Sequence, residues 1–186
     1  WSEEELGFTS ERNYLIQDAG SIDYTDKNYY MSGPRHLNIK VSNICNLRCR
    51  TCQSKDSYLY HIEGEYYEKK NNISRTPYTI DKFKKHFTDQ QLDELFEFSG
   101  NLERIELYGG EPFLTPAMFD LLEHGVNIGA SKNITVRVHT NASLYNEKYL
   151  EILSQYKLVS FNVSIDSAVP EQLEYIRYKA KFDTVI

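Results

Sequence analysis

The chain has 186 residues, a mass of 21.8 kDa and a formal charge of -6, with 40% hydrophobic and 13% aromatic residues. This content is too apolar for a disordered chain, and the length suits one domain with or without an appendage. Acidic residues outnumber basic ones, 27 to 21, which argues against a protein that coats nucleic acid. No run of about 18 apolar residues is present to span a membrane.

Residues 1–7 are acidic and polar, unlike a signal peptide. The chain opens on Trp1 rather than Met and stops at Ile186 without C-terminal punctuation, so it reads as a piece of a longer protein. Residues 1–36 form a lead-in, with a short helix expected near 2–15 and Gly20, Gly33 and Pro34 as breakers. His36-Leu-Asn-Ile-Lys-Val41 alternates polar and apolar residues, the period of a strand. Residues 53–87 are rich in Tyr, Lys and Asn and read as an insertion, helical from Lys55 to Lys69 and broken at Thr76-Pro77. Its Tyr58, Tyr60, Tyr66, Tyr67 and Tyr78 fit a lid over a site or, slightly better, a surface carrying amphipathic tyrosines.

Thr88 is an expected N-cap with Gln91 three residues on, as in a capping box. Leu92, Leu95 and Phe96 form one apolar face of that helix, and Gly100 ends it. A strand over Arg104–Tyr108 leads into Gly109-Gly110-Glu111-Pro112. A helix follows over Pro116–His124, stopped by Gly125. The next strand covers Ile134–Thr140 and ends at Asn141. A helix over Asn146–Gln155, a strand over Leu158–Ile165 ending at Asp166, and a helix starting near Pro170 complete the pattern.

Strand–helix alternation of this kind folds as right-handed βαβ units with parallel strands. Chemistry in such folds gathers at the carboxyl ends of the strands. The unusual residues fall there: three cysteines after the first strand, Gly109-Gly110-Glu111-Pro112 after the second, Thr140-Asn141 after the third, and Ser164 with Asp166 at the fourth.

Cys45, Cys49 and Cys52 are the only cysteines and lie within eight residues. An odd, tightly packed set is a poor disulfide framework. Four readings compete: chance core thiols; a Cys49-Arg-Thr-Cys52 redox pair, which leaves Cys45 idle; a structural zinc site, which lacks a fourth ligand because His36 and His61 are each nine residues away; and an iron–sulfur cluster held by three thiolates with one iron left open.

Cys45-Asn-Leu-Arg-Cys49-Arg-Thr-Cys52 on one strand end and Gly109-Gly110-Glu111-Pro112 on the next resemble the radical S-adenosylmethionine (radical SAM) enzymes over about residues 36–186. The resemblance implies an α/β fold, a partial (β/α)6 barrel of parallel strands with about four strands present and truncated at both ends. More narrowly, Trp1-Ser-Glu-Glu-Glu-Leu-Gly-Phe-Thr-Ser-Glu-Arg12 and His36-Leu-Asn-Ile-Lys-Val-Ser-Asn-Ile-Cys45 look like the twitch-domain-containing radical SAM proteins of bacteria and phages. That likeness implies an auxiliary-cluster region before the lead-in of residues 1–36, with the core over 37–186.

The family chemistry implies a [4Fe–4S] cluster and S-adenosylmethionine as cofactors. Cys45, Cys49 and Cys52 would be the metal ligands, and Arg48 and Arg50 would offset cluster charge, pair with solvent-side acids or stand solvated. Gly109, Gly110, Glu111 and Pro112 would meet the S-adenosylmethionine amino group, with Glu111 accepting from the ammonium. Asn141, Ser164 and Asp166 fall at ribose and methionine contacts, and Arg177 would pair with the carboxylate. Thr51 departs from the aromatic residue many members carry before the third cysteine, so adenine packing must come from elsewhere. His139, alone on its strand, reads as packing rather than catalysis.

The resemblance further implies reductive cleavage of S-adenosylmethionine to a 5′-deoxyadenosyl radical that abstracts hydrogen from a peptide or small metabolite. The expected partners are a flavodoxin or ferredoxin reductant and no nucleic acid or membrane, in a reducing cytoplasm. The alternative is a non-catalytic iron–sulfur or zinc scaffold.

Overall fold

The computed structural model describes residues 33–40, 42–53, 56–73, 87–99, 101–144 and 146–185. The helix expected near 2–15, Val41, Lys55, Thr76-Pro77, Tyr78 and Gly100 lie outside the described residues. In chain order the strands are β1 (His36–Ile39), β2 (Arg48–Cys49), β3 (Arg104–Leu107), β4 (Thr135–Thr140), β5 (Leu158–Val163) and β6 (Arg177–Tyr178). The helices are α1 (Tyr58–Asn71), α2 (Asp89–Phe98), α3 (Pro116–Asn127), α4 (Glu147–Leu153), α5 (Pro170–Ile176) and α6 (Phe182–Val185).

The four longer strands form one parallel sheet in the order β1-β3-β4-β5, so each βα unit adds the next strand at the same edge. This is the α/β arrangement with parallel strands expected from the alternation. Parallel sheets are usually apolar on both faces, yet β3 and β4 alternate. Ile105, Leu107, Val136 and Val138 are wholly buried, whereas Glu106, Arg137 and His139 on the opposite face are only half-buried. The apolar face packs on Leu92 and Phe96 of α2, Met118, Leu121 and Leu122 of α3, and Tyr149, Ile152 and Leu153 of α4. The polar face is the one turned away from these helices, and His139 on it lines a cavity with the three cysteines. Because Leu121 has no exposed surface, Leu121→Ala is expected to lower the unfolding free energy by about 2–5 kcal/mol, measured by denaturant titration. A change under about 1 kcal/mol would mean that the site collapses on the cavity.

Local signals placed most boundaries. Thr88 caps α2 through the expected reciprocal bonds: Gln91 N donates to Thr88 Oγ1 and Thr88 N to Gln91 Oε1, both at 3.2 Å. Pro116 opens α3 at its first position, and Asn146 caps α4 by accepting from Tyr149 N at 3.1 Å. The strand expected to reach Ile165 ends at Val163, although Ser164 N still bonds Thr140 O at 2.9 Å.

Gly125 does not stop its helix, which runs on to Asn127. A Cβ there would come within 2.5 Å of the Tyr156 hydroxyl and 3.1 Å of the Phe96 ring. The glycine is a notch where α3 meets two aromatic neighbours, not a terminator. The insertion helix begins at Tyr58 rather than Lys55, ends at Asn72 in a left-handed turn, and buries none of its residues. Among the described residues no helix is long and apolar enough to cross a membrane.

Candidate functional site

The cysteine loop leaves the end of β1 and is fixed by its neighbours. Glu111 N donates to Ile44 O at 2.8 Å, Tyr58 N to Asn43 O at 2.9 Å, and Ser57 Oγ to Leu47 O at 3.2 Å. Leu47, buried inside the loop, packs with Leu173 and Ala180, and Cys45 and Cys49 rest on the same small cluster. The short antiparallel pair of β2 and β6 sets Cys49 opposite Arg177. Arg48 and Arg50 lie over the rings of Tyr178 and Tyr175, at 4.5 and 4.0 Å from the centroids. These cation–π contacts staple the loop to the chain after α5, so neither guanidinium stands free in solvent.

All three thiols are free and half-buried, and all three line one cavity of about 290 Å³. Gly109 and Gly110 beyond β3, Asn141 beyond β4, Ser164 beyond β5, and Arg177 line the same cavity. The site therefore sits at the carboxyl ends of the parallel strands. Gly109 and Gly110 both have positive φ, +84° and +54°, which favours glycine. Gly110 also lies against the backbone of the cysteine loop, where a Cβ would fall 2.3 Å from Ile44 O.

Glu111, Pro112 and Asp166 are not in the cavity wall. Glu111 is fully buried and faces inward rather than toward a ligand. Its Oε1 accepts from Thr140 Oγ1 at 2.8 Å and from Phe113 N at 3.4 Å, and its Oε2 accepts from Asn141 N at 2.8 Å. Burial pushes its carboxyl above the ordinary range, and these three donors pull it back. The carboxylate thus ties the turn after β3 to the end of β4, in place of the direct ammonium contact expected from the sequence. Pro112 is buried beside it at the start of a short 3₁₀ turn.

Asp166 is engaged with Arg177: Arg177 Nε lies 2.7 Å from Asp166 Oδ2, an ion pair with its N–H off the line of a hydrogen bond. Arg177 Nη1 stands 3.9 Å from Cys49 Sγ. The two residues nominated separately for cofactor contacts are thus partners of each other.

Thr51, Asp56, Tyr108 and His139 complete much of the wall. Tyr108 is the large ring there and Thr51 supplies none. Asp56 is bonded to Lys40, whose side chain packs against Gly109. His139 Nε2 bonds Glu106 Oε1 on the neighbouring strand, and Asn162 Nδ2 lies 3.5 Å from the same nitrogen. Lys40, Asp56 and Tyr108 were not found by sequence reasoning, since no motif or spacing marks them.

Burial raises the pKa of all three thiols, and the charges of their fellow cysteines add to the shift at Cys45 and Cys49. Cys49 is pushed up to about 11, mainly by burial, with Arg177 pulling the other way. A redox pair needs a lowered thiol pKa, so the thiol-exchange reading loses its basis. In the metal-free protein, iodoacetamide should modify Cys49 slowly at about pH 8, with a rate that climbs toward about pH 11. Full-rate alkylation at neutral pH would restore the redox reading.

The donor set fits a cluster. Three free soft thiols around one cavity suit cluster iron.

Residues 39–186 match the radical SAM superfamily. The chain belongs to that superfamily, a group of enzymes that use a [4Fe–4S] cluster and S-adenosylmethionine. Among curated relatives it is 26% identical to human molybdenum cofactor biosynthesis protein 1, over 81% of this chain and 20% of that protein. It is 22% identical to the GTP 3′,8-cyclase of Alkaliphilus metalliredigens, over 81% of this chain and 40% of the cyclase. The chain thus spans less than half the length of these relatives. Streptococcus suis SuiB bound to S-adenosylmethionine shares the fold with a TM-score of 0.52 and 18% identity, covering 95% of this chain and 34% of SuiB. SuiB bound to the precursor peptide SuiA superposes with a TM-score of 0.54, again at 18% identity, covering 98% of this chain and 40% of SuiB.

Proposed function

We propose that this chain is the catalytic core of a larger radical SAM enzyme, with Cys45, Cys49 and Cys52 as cluster ligands. The observation that carries the reading is convergence: three free thiols and the Gly109–Gly110 turn, from separate strand ends, line one cavity. Cys45, Cys49 and Cys52 would hold the cluster, which would supply one electron to split the sulfonium S–C5′ bond of S-adenosylmethionine into methionine and a 5′-deoxyadenosyl radical for hydrogen abstraction from substrate.

The protein's share is binding, orientation and exclusion of water. The left-handed conformations of Gly109 and Gly110 turn the backbone along the cavity wall, where its carbonyls can meet an ammonium. Ser164 offers a hydroxyl to sugar and amino-acid groups, while the Asn141 amide lines the same cavity with its bonds taken by Cys45, Asn46 and Ser143. Arg177, fixed by Asp166, sets positive charge beside Cys49, where it offsets thiolate charge and attracts a carboxylate. Tyr108 supplies the ring that Thr51 lacks, so it is our candidate for packing against adenine.

The finer assignments rest on resemblance. Residues 1–36 act as a lead-in following an auxiliary-cluster region, as in twitch-domain proteins, and residues 37–186 form the core with its insertion at 53–87. The substrate is a peptide or small metabolite. A SuiB structure holds a precursor peptide and the cyclases are named for GTP, so both classes have precedent among similar proteins. A flavodoxin or ferredoxin donates the electron, and the reducing cytoplasm is the compartment that keeps such thiolates intact.

Electron paramagnetic resonance of the anaerobically reconstituted, dithionite-reduced protein, with and without S-adenosylmethionine, tests the reading. A reduced four-iron signal that changes on adding S-adenosylmethionine is expected. A signal indifferent to it would favour the scaffold alternative, and no cluster at all would sink the ligand assignment.

A further inference from the structure

We propose that Asn141 tunes the reduction potential of the cluster by donating a hydrogen bond to the Cys45 thiolate, with Glu111 as its positioning residue; this rests on the cluster assignment above. Asn141 Nδ2 lies 3.7 Å from Cys45 Sγ and 3.0 Å from Asn46 Oδ1. The two hydrogens of one amide nitrogen serve these two acceptors.

The orientation of that amide is set by a closed ring of bonds. Asn46 Nδ2 donates to Ser143 Oγ at 2.8 Å, Ser143 Oγ donates to Asn141 Oδ1 at 2.5 Å, and Asn141 Nδ2 returns to Asn46 Oδ1. Ser143 N adds a second donor to Asn141 Oδ1 at 2.9 Å. Flipping the Asn141 amide would set its NH₂ against two donors and turn its oxygen toward a sulfur that needs a donor. The ring therefore aims the nitrogen at Cys45.

The backbone beneath the amide is equally committed. Glu111 holds Asn141 N and Thr140 Oγ1, and Thr140 Oγ1 in turn accepts from Ala142 N at 3.1 Å. Ala142 has φ of +54°, a left-handed conformation that costs a non-glycine residue strain. Removing the buried carboxylate would release this turn and, with it, the angle at which Asn141 meets the sulfur. Glu111 positions Asn141, and its own charge also acts on Cys45.

A thiolate carries more negative charge when its cluster is reduced, so a donor on sulfur favours the reduced state and raises the potential. The partly buried setting strengthens that preference because water screens it less. Leu47 N, 3.4 Å from Cys45 Sγ, is a second donor on the same sulfur, but it belongs to the cysteine loop itself. Asn141 is the contribution from outside the loop, brought from a residue 96 positions away.

The test is a redox titration, followed by electron paramagnetic resonance, of the reconstituted full chain carrying Asn141→Asp. This variant keeps size and shape and removes the donor, but it adds a negative charge, so the uncharged Asn141→Ser is measured beside it and decides. The midpoint should move to a more negative potential at unchanged iron and sulfide content. Electron–nuclear double resonance should show one exchangeable-proton coupling lost, with that of Leu47 N–H retained. Asn141→Ser removes the donor without adding charge and should shift the midpoint in the same direction. Glu111→Gln should weaken the Asn141 exchangeable-proton coupling without abolishing it, a readout that the loss of its own charge near Cys45 does not mimic. An unchanged midpoint in Asn141→Ser at full cluster content would overturn the proposal while leaving the cluster assignment intact. Loss of the cluster in both Asn141 variants would also overturn it, by making Asn141 a structural support only. Failure of the unsubstituted protein to assemble a cluster would bring down the functional reading as well.

Discussion

Cys49→Ser is expected to abolish the four-iron signal and reduce S-adenosylmethionine cleavage to background, with the far-ultraviolet circular dichroism of the protein unchanged. Cys49 holds its place through its backbone, in the β2–β6 pair opposite Arg177, and through the small apolar cluster of Leu47 and Leu173. Serine can keep that backbone pairing. What it cannot replace is a soft thiolate donor, since a hydroxyl oxygen at neutral pH is a poor ligand for cluster iron. The loss should also exceed that of a simple packing change, because one iron of the cluster would be left without its thiolate. Iron and sulfide analysis on the reconstituted variant, together with chromatographic detection of 5′-deoxyadenosine, is the measurement. Full iron content with unaltered cleavage would show that Cys49 is not a ligand.

Gly110→Ala should be nearly as damaging, by a different route. The residue has φ of +54°, and an added Cβ would sit 2.3 Å from Ile44 O and 2.9 Å from the carbonyl carbons of Asn43 and Ile44. Those neighbours are backbone and cannot rotate away. Strain in the left-handed region and overpacking each cost about 1–3 kcal/mol. The Glu111 N to Ile44 O bond that locks turn to loop is lost as the two segments separate. We expect destabilisation on the order of 2–5 kcal/mol from these combined costs, read by thermal or denaturant unfolding, and weakened retention of the cluster. Gly109→Ala makes the comparison. Its φ is also positive, but the added Cβ meets the flexible side chain of Lys40, so the cost should be smaller. Equal tolerance of both substitutions would show that the turn is not packed on the loop as described.

The Gly-Gly turn, the cysteine spacing and the strand alternation were all legible in the sequence because each is a short-range signal. A strand with one face on helices shows its period of two within five residues, as Ile105-Glu106-Leu107 and Val136-Arg137-Val138 do. Thr88 with Gln91 announces a capping box within four residues. The family motif is legible for the same reason, since three thiolates on one loop are close in sequence before they are close in space.

Other features were decided only in three dimensions. Gly125 follows the local rule for a helix stop, yet its notch serves Tyr156, a residue 31 positions on that reaches it only when α3 and the chain after α4 pack together. β2 and β6 hold two residues each, too few to show any period, and their pairing alone places Arg177 at Cys49. Asp166 has no sequence signal linking it to Arg177.

Glu111 shows the division most clearly. Its position after the glycines marked it as part of the site, but whether a carboxylate faces a cavity or the interior depends on the donors that surround it. Thr140 and Asn141 bring a hydroxyl and an N–H to its two oxygens from the next strand. A buried carboxylate is tolerated only where such donors replace water. The sequence by itself determined the class of fold, the cysteine set and the turn that meets it. The tertiary structure alone decided the facing of Glu111, the pairing of Arg177 and the direction of the Asn141 amide, because each depends on hydrogen bonds between residues distant in the chain.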